Sequence, residues 1–293
     1  MDEKKLLEMI THNNFPVGIG GCKYHDFSYD CCEYNVTIFD DLNQDSSVIQ
    51  LDDDLIKIQH GTLLESNSNI LVQFDSMKII LDEKWELKML LSKIHENKNK
   101  FFDDYAKSCL IESLFCTSKA KEGIKNNDGF ASCWIKSSAY YLADAISLLN
   151  MTRPCPTHLL SLSRSFKKNK INSHLLTVTQ CIGVERATPS LLLRMLKSTI
   201  GFSEMIGKTN DSEIIKSKYE FLLKNSLLSD CYFYFGYLNR NNFVSIKNTL
   251  HRHPEYIHVL KTAFDIENDK TIISQQIDSL QNASKEILSG LNQ

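Results

Sequence analysis

The stretch that decides the fold runs from residue 16 to residue 39 and reads PVGIGGCKYHDFSYDCCEYNVTIF. Its first part is a short apolar segment that ends at Gly20-Gly21, which indicates a strand running into a tight turn. Its last part, 33–39, alternates apolar and polar side chains, and this is the period of a half-buried strand. The stretch therefore predicts two strands separated by a glycine turn and a variable loop.

The sequence on either side of this stretch predicts a mixed α/β layout up to about residue 95. We predict helices at 4–12 and 85–95 from their apolar spacing. We also predict a polar turn at 40–47, a strand at 55–60, and a hairpin whose strands are 70–74 and 78–81.

From about residue 101 onward the apolar period is helical nearly everywhere. The helices predicted there are 101–126, 130–150, 174–183, 189–206, 212–238, 242–251 and 270–289. The predicted fold class is therefore an α+β N-terminal domain, a mixed sheet with helices, followed by an all-α domain. We place these domains at residues 1–98 and 99–293.

The charge of the chain is distributed unevenly. The 293 residues carry a formal charge of −3, and 42% of them are hydrophobic, which excludes disorder and fibrous architectures for the whole chain. Residues 1–95 carry 8 Lys and Arg against 17 Asp and Glu, whereas the remainder carries 25 against 19. The two parts are therefore expected to attract one another, or the basic part holds a phosphate-bearing partner.

Composition also bears on the compartment. No apolar run approaches the ~18 residues of a transmembrane helix, and the first residues do not have the pattern of a signal peptide. Most of the nine cysteines lie singly in apolar helical patterns, as reduced thiols do in a core. We expect a cytoplasmic protein that does not associate with membranes.

The order of these elements resembles the nucleotidyltransferase superfamily, the polymerase-β-like fold in its minimal form. The order is a strand, the turn Gly20-Gly21, a variable loop and the alternating strand 33–39. That family follows a Gly-Gly or Gly-Ser turn with Asp-x-Asp on an apolar strand. The segment 78–82, followed by a helix, is similar to the family's final strand. The segment 133–158 resembles its C-terminal helical domain and the HEPN modules that accompany it.

The resemblance implies a chemistry for each part of the motif. Glycines let backbone N–H groups approach a nucleotide phosphate, and two carboxylates on one strand face hold Mg²⁺. A third carboxylate on a neighbouring strand completes a two-metal site that acts on an NTP. The residues implied are Gly20, Gly21, Lys23 and Lys57 for nucleotide binding; Glu33, Asn35 and Asp30 for catalysis; and Glu33 and Asp30 for the metal.

Two departures from the family pattern weaken the implied metal site. Asn35 is neutral, and the alternative register pairs Asp30 with Cys32, although a hard cation prefers oxygen to sulfur. The strand 55–60 contains no acid, so Lys57 or Gln59 stands where the family has its third carboxylate. We therefore expect a decayed site in a protein that binds a nucleotide or nucleic acid, or that acts as a regulatory or scaffold partner. The alternative is an active Mg²⁺-dependent enzyme that transfers a nucleotidyl group to a small molecule, a protein or an RNA end.

Two further patterns offer competing functions. Arg153 and His158 fit the Arg-x4–6-His pattern of HEPN ribonucleases, in which both side chains act on RNA, although Arg153 also suits a helix C-terminus. Cys22, His25, Cys31 and Cys32 form a local cluster, for which we expect free thiols rather than zinc. A third alternative is that the helical domain is a homo-oligomeric interaction module.

Overall fold

The computed structural model describes residues 3–10, 15–24 and 27–291. Within them lies a five-stranded sheet whose order is β3-β4-β2-β1-β5. Strands β2 and β4 are parallel, and the other neighbouring pairs are antiparallel. The strands are β1 (Val17–Gly20), β2 (Tyr34–Ile38), β3 (Ser47–Leu51), β4 (Asp54–His60) and β5 (Lys78–Leu81).

The alternation read from the sequence decides which side chains of the sheet are buried. Val17, Ile19, Val36 and Ile56 have no exposed surface, and they pack in one apolar cluster with Leu6 of helix α1 (Glu3–Ile10). Residues 11 and 12 of the helix predicted at 4–12 lie outside the described residues. Burying apolar side chains of this size stabilises the fold by ~1.5–3 kcal/mol each.

The predicted hairpin at 70–74 and 78–81 is wrong in its first half. Residues 78–81 form β5, but 70–74 are helical, in α2 (Ser68–Leu71) and the 3-10 turn Val72–Phe74. Asn67 is the N-cap residue of α2, and its side chain accepts a hydrogen bond from the Asn69 N–H, which stabilises the first turn of the helix. A short apolar run fits a strand or a buried helix equally well, and here the N-cap decides.

A second apolar cluster of the sheet region is built from α2, the 3-10 turn and α3 (Glu86–Glu96). Its buried members are Phe39, Leu71, Phe74, Leu87, Leu90 and Ile94. The spacing of Leu87, Leu90 and Ile94 is the helical period that predicted this helix.

Beyond the sheet the described chain is helical, which confirms the predicted fold class. The helices are α4 (Lys98–Asn126), α5 (Ala131–Leu149), α6 (Leu159–Ser163), α7 (Lys170–Ser173), α8 (Leu175–Ile182), α9 (Pro189–Met205), α10 (Ser212–Lys224), α11 (Leu228–Ser245), α12 (Tyr256–Ala263) and α13 (Lys270–Leu291).

The helix predicted at 212–238 is two helices, because the chain turns between α10 and α11. Ser226 has φ +58, a left-handed conformation that no helix interior contains. The helix predicted at 242–251 is also wrong in its boundaries. Residues 242–245 belong to the end of α11, and Leu250–Arg252 is a 3-10 turn.

The chain divides into two compact units. One, the sheet unit, contains the residues up to Asp104 together with Asn210–Lys218; the other, the helical unit, contains Tyr105–Thr209 and the residues from Tyr219 onward. A segment that follows α9 in the chain therefore belongs to the same unit as the sheet. Among the helices that the structure describes, none has the length and apolar character needed to cross a bilayer.

Close packing in the helical unit depends on one glycine. A Cβ at Gly236 of α11 would lie 1.9 Å from the Tyr140 hydroxyl of α5, so no side chain fits there without moving the ring. Tyr140 packs edge-to-face on Phe233, with ring centroids 5.0 Å apart. The aromatic-rich part of α11 is thus core, as its burial also shows.

Candidate functional site

The glycine turn, β2 and β4 bring together four of the residues implied by the resemblance. In the sheet register Gly20 lies opposite Asn35, and Asn35 lies opposite Lys57. Gly21 has φ +94, and a Cβ there would lie 3.0 Å from Cγ and Nδ2 of Asn35. Glycine is therefore required at this position for its backbone and for its small size. We call Gly20, Gly21, Glu33, Asn35 and Lys57 the glycine-turn site.

Glu33 is held by a lysine from a distant part of the chain. Its Oε2 lies 2.6 Å from Lys218 Nζ, and both side chains are nearly buried, at 13% and 5% exposure. Burial alone would raise the pKa of Glu33, but the Lys218 ammonium outweighs it and the pKa is lowered. Burial alone would lower the pKa of Lys218, but the Glu33 carboxylate outweighs this effect, and the pKa of Lys218 is raised. The two groups thus hold one another in the charged state.

Lys57 forms a second ion pair within the sheet unit. Its Nζ donates to both carboxylate oxygens of Asp211, at 2.7 and 2.9 Å. The side chain of Asn210, next to Asp211, donates to the Ser46 carbonyl at 2.7 Å. The segment 210–218 is therefore tied to the sheet at three places, two of them in the glycine-turn site.

Sequence reasoning missed Lys218 and Asp211. Both lie more than 150 residues after their partners, and neither belongs to a local motif. For Lys218 the only signal was the acidic excess of residues 1–95, which indicated basic partners elsewhere in the chain without naming them; for Asp211 there was no signal.

Asp30 and Lys23 take other positions than the resemblance implied. Asp30 is exposed, and its main-chain carbonyl, rather than its carboxylate, accepts a bond from Lys23 Nζ at 3.2 Å. Lys23 also lies 3.7 Å from an Asp54 carboxylate oxygen. Like Lys57 and Lys218, this lysine is neutralised inside the sheet unit.

These residues do not fit Mg²⁺. The best carboxylate, Glu33, is occupied by an ammonium group, and the strand neighbour of Asn35 is a lysine rather than an acid. A divalent cation would have to displace Lys218 from a short buried pair and would then lie beside a second cation. Asn35 offers one neutral oxygen, which is buried and makes no hydrogen bond within the described residues.

The cysteine cluster is divided chemically. Cys22 is disulfide-bonded, whereas Cys31 and Cys32 are buried thiols outside any disulfide, and His25 lies outside the described residues. A hydrogen bond with Cys32, together with burial, raises the pKa of Cys31, so this thiol is held protonated rather than as a thiolate.

Arg153 and His158 lie in the helical unit, at the junction between α5 and α6. His158 is 1% exposed, and Arg153 is half-buried. His158 is the N-cap residue of α6, and its main-chain N–H donates to the Cys155 carbonyl. In this conformation the imidazole is not accessible to an RNA phosphate.

The helical unit also buries a lysine. Lys136 Nζ donates to the Ile182 carbonyl and lies 3.3 Å from the Tyr232 hydroxyl, which donates to Asp265 at 2.8 Å. Burial, helped by nearby Arg186, lowers the pKa of Lys136 to about 7.

A pH-dependent stability follows for Lys136→Met. A lysine whose pKa is lower in the folded state opposes folding below that pKa, and the penalty fades as pH rises from about 7 towards 10. Relative to the methionine variant, the wild type should therefore gain stability by up to ~1.4 kcal/mol per pH unit in that range. Urea unfolding of both proteins at pH 7 and 9 measures this difference, and a constant difference would contradict it.

Comparisons with known proteins give one named likeness. No family model matches the chain, and no curated protein matches it. A solved structure that does match is a nucleotidyltransferase-like protein from Exiguobacterium sibiricum 255-15, at 11% identity and a TM-score of 0.36. The match covers 86% of this chain and 89% of that one. At this similarity it assigns no role to any residue.

Proposed function

We propose that this chain is a nucleotidyltransferase-like protein that does not perform metal-dependent transfer. Its role is to bind a nucleotide or nucleic acid, or to act as a regulatory partner. The observation that carries the proposal is the buried ion pair between Lys218 and Glu33. The strand order supports the relation to the family, because the glycine turn precedes β2, and β4 is the neighbour of β2 that would carry the third carboxylate.

A lysine supplies charge but not the chemistry of a metal. A two-metal site aligns the attacking and leaving oxygens and makes the attacking hydroxyl more acidic by direct coordination. An ammonium group coordinates nothing, and Lys57 and Lys218 already neutralise Asp211 and Glu33. Any phosphate that reaches the glycine turn must therefore be held by backbone N–H groups and by lysines that leave their partners, without Mg²⁺.

Calorimetry with ATP and GTP, each with and without Mg²⁺, tests this proposal. We expect any binding heat to be the same in both conditions, because no group in the site prefers the metal complex. No transfer of labelled nucleotide to protein or RNA is expected. Asp53→Asn, an exposed acid elsewhere in the sheet unit, is the matched control for Glu33→Gln. Binding that requires Mg²⁺ and is lost only in Glu33→Gln would contradict the proposal.

A further inference from the structure

A surface cavity of about 440 Å³ lies at the opposite end of β2 from the glycine-turn site. Gly20 and Asn35 meet near the start of β2, whereas the cavity lies beyond its end, where Ile38 pairs with His60 of parallel β4. Every residue that lines the cavity belongs to the sheet unit.

The wall of the cavity is built by main-chain bonds that extend the β2–β4 pairing. The Gly61 N–H donates to the Ile38 carbonyl at 2.9 Å, and the Asp41 N–H donates back to the Gly61 carbonyl at 3.1 Å. Asp41 has φ +59, a conformation that Asp and Asn adopt more readily than most residues. These main-chain bonds fix the position of the loop.

One histidine of the lining is oriented by a buried acid. His60 Nδ1 lies 2.8 and 3.0 Å from the two carboxylate oxygens of Asp40, whose side chain is 6% exposed. A carboxylate accepts the bond, so Nδ1 carries a proton, and in the neutral imidazole Nε2 presents a lone pair. In the described part of the chain no hydrogen bond reaches Nε2.

The charge of the lining selects the ligand. Asp41 and Glu65 contribute two carboxylates, and no Lys or Arg is among the described residues that line the cavity. Glu65 Oε1 accepts from the Ser66 and Asn67 N–H groups, which fixes the side chain and leaves Oε2 for a ligand. Ile70 and Phe74 add apolar surface. Phosphates and other anions are therefore disfavoured, and amines are favoured.

We propose that this cavity binds a small organic cation that carries primary ammonium groups. One ammonium group pairs with Asp41 and Glu65, a second N–H group donates to His60 Nε2, and the alkyl chain lies on Ile70 and Phe74. The site is independent of the function proposed above, because it shares no residue with the glycine-turn site.

NMR titration of the full chain with putrescine tests the proposal, and 1,4-butanediol is the uncharged probe of equal length. At about 150 mM salt, where exposed charges more than ~8 Å apart are screened, we expect saturable shifts with putrescine, centred on the amides of residues 40–42 and 60–65. We expect no saturable shifts with the diol. Saturable shifts with the diol would overturn the proposal. So would the absence of saturable shifts with putrescine up to about 20 mM, because a Kd of that size corresponds to a binding free energy of only ~2–3 kcal/mol.

Charge variants separate a site from diffuse attraction. Asp41→Asn with Glu65→Gln keeps the turn and the Oε1 bonds, and we expect putrescine affinity to fall by about 3- to 10-fold. Asp53→Asn, exposed and outside the lining, should leave affinity unchanged. Equal weakening by both changes would overturn the proposal, as would tighter binding of inorganic phosphate to the same amides.

Discussion

Replacing Glu33 with alanine is expected to lower the free energy of unfolding of the sheet unit by about 3–5 kcal/mol. The alanine leaves Lys218 Nζ buried without the carboxylate that lies 2.6 Å away in the wild type. The change therefore acts through stability, whereas loss of a metal ligand in a working active site would act through activity. Urea unfolding monitored by circular dichroism measures the effect.

A paired variant separates the lost ion pair from a lost side chain. Glu33→Leu with Lys218→Met removes both charges and fills similar volume, and we expect it to recover most of the stability. The pKa of Glu33 is lowered in the folded state, so the wild-type advantage over Glu33→Ala should shrink as the pH falls below the ordinary value of 4.5. A stable Glu33→Ala protein at pH 7 would show that Lys218 finds water or another partner.

Arg240→Met is expected to destabilise the helical unit by about 3–5 kcal/mol at pH 7. Arg240 Nη2 donates to Asp144 Oδ2 at 2.8 Å, and the two side chains are 4% and 1% exposed. The guanidinium also lies over the rings of Tyr141 and Tyr237, at 4.4 and 4.2 Å from their centroids. Methionine fills the space between the rings but leaves the buried carboxylate without a cation, with the Tyr237 hydroxyl as its remaining donor.

The effect of Arg240→Met should depend on pH in a known direction. Burial raises the pKa of Asp144 even beside Arg240, and removing the arginine raises it further. The folded variant then retains a proton that the unfolded chain loses above about pH 4, so its stability should fall as pH rises from 4 to 7. Unfolding at both pH values tests this expectation, and a pH-independent loss would contradict it.

Two controls identify the source of that loss. Tyr237→Phe removes a single hydrogen bond to Asp144, 3.1 Å long in the wild type, and should cost only about 1–2 kcal/mol. Arg240→Met with Asp144→Leu removes the charge pair and should be more stable than Arg240→Met alone at pH 7. If it is not, packing of the arginine between the rings matters more than charge.

The sequence predicted well what local pattern determines. The alternation of 33–39 and the glycines at 20 and 21 each constrain the backbone within a few residues, so the two strands follow from them, whereas the row Gly20, Asn35, Lys57 depends on the register between strands. The short apolar run 70–74 fits either a strand or a helix, and a capping side chain outside the run, that of Asn67, favours the helix.

The rest depends on contacts that no local pattern contains. The residue types at 33, 35 and 55–60 predicted a site short of acids, but not that Lys218 would pair with Glu33. The polar turn predicted at 40–47 overlaps strand β3 at Ser47, and no strand was predicted at 48–51; pairing with β4 makes this segment a strand. The cavity beside His60 likewise depends on the register between β2 and β4, whose paired residues, such as Ile38 and His60, lie 22 positions apart.

The membership of segment 210–218 in the sheet unit sets the order of events during synthesis. The ribosome completes Asp104 well before Lys218, and at ~5–20 residues per second the interval is on the order of 10 s. Throughout that time Glu33 and Lys57 have been made and their partners have not. The nascent sheet must therefore keep two ionised groups hydrated, and it can close over them only when the chain has grown past α9.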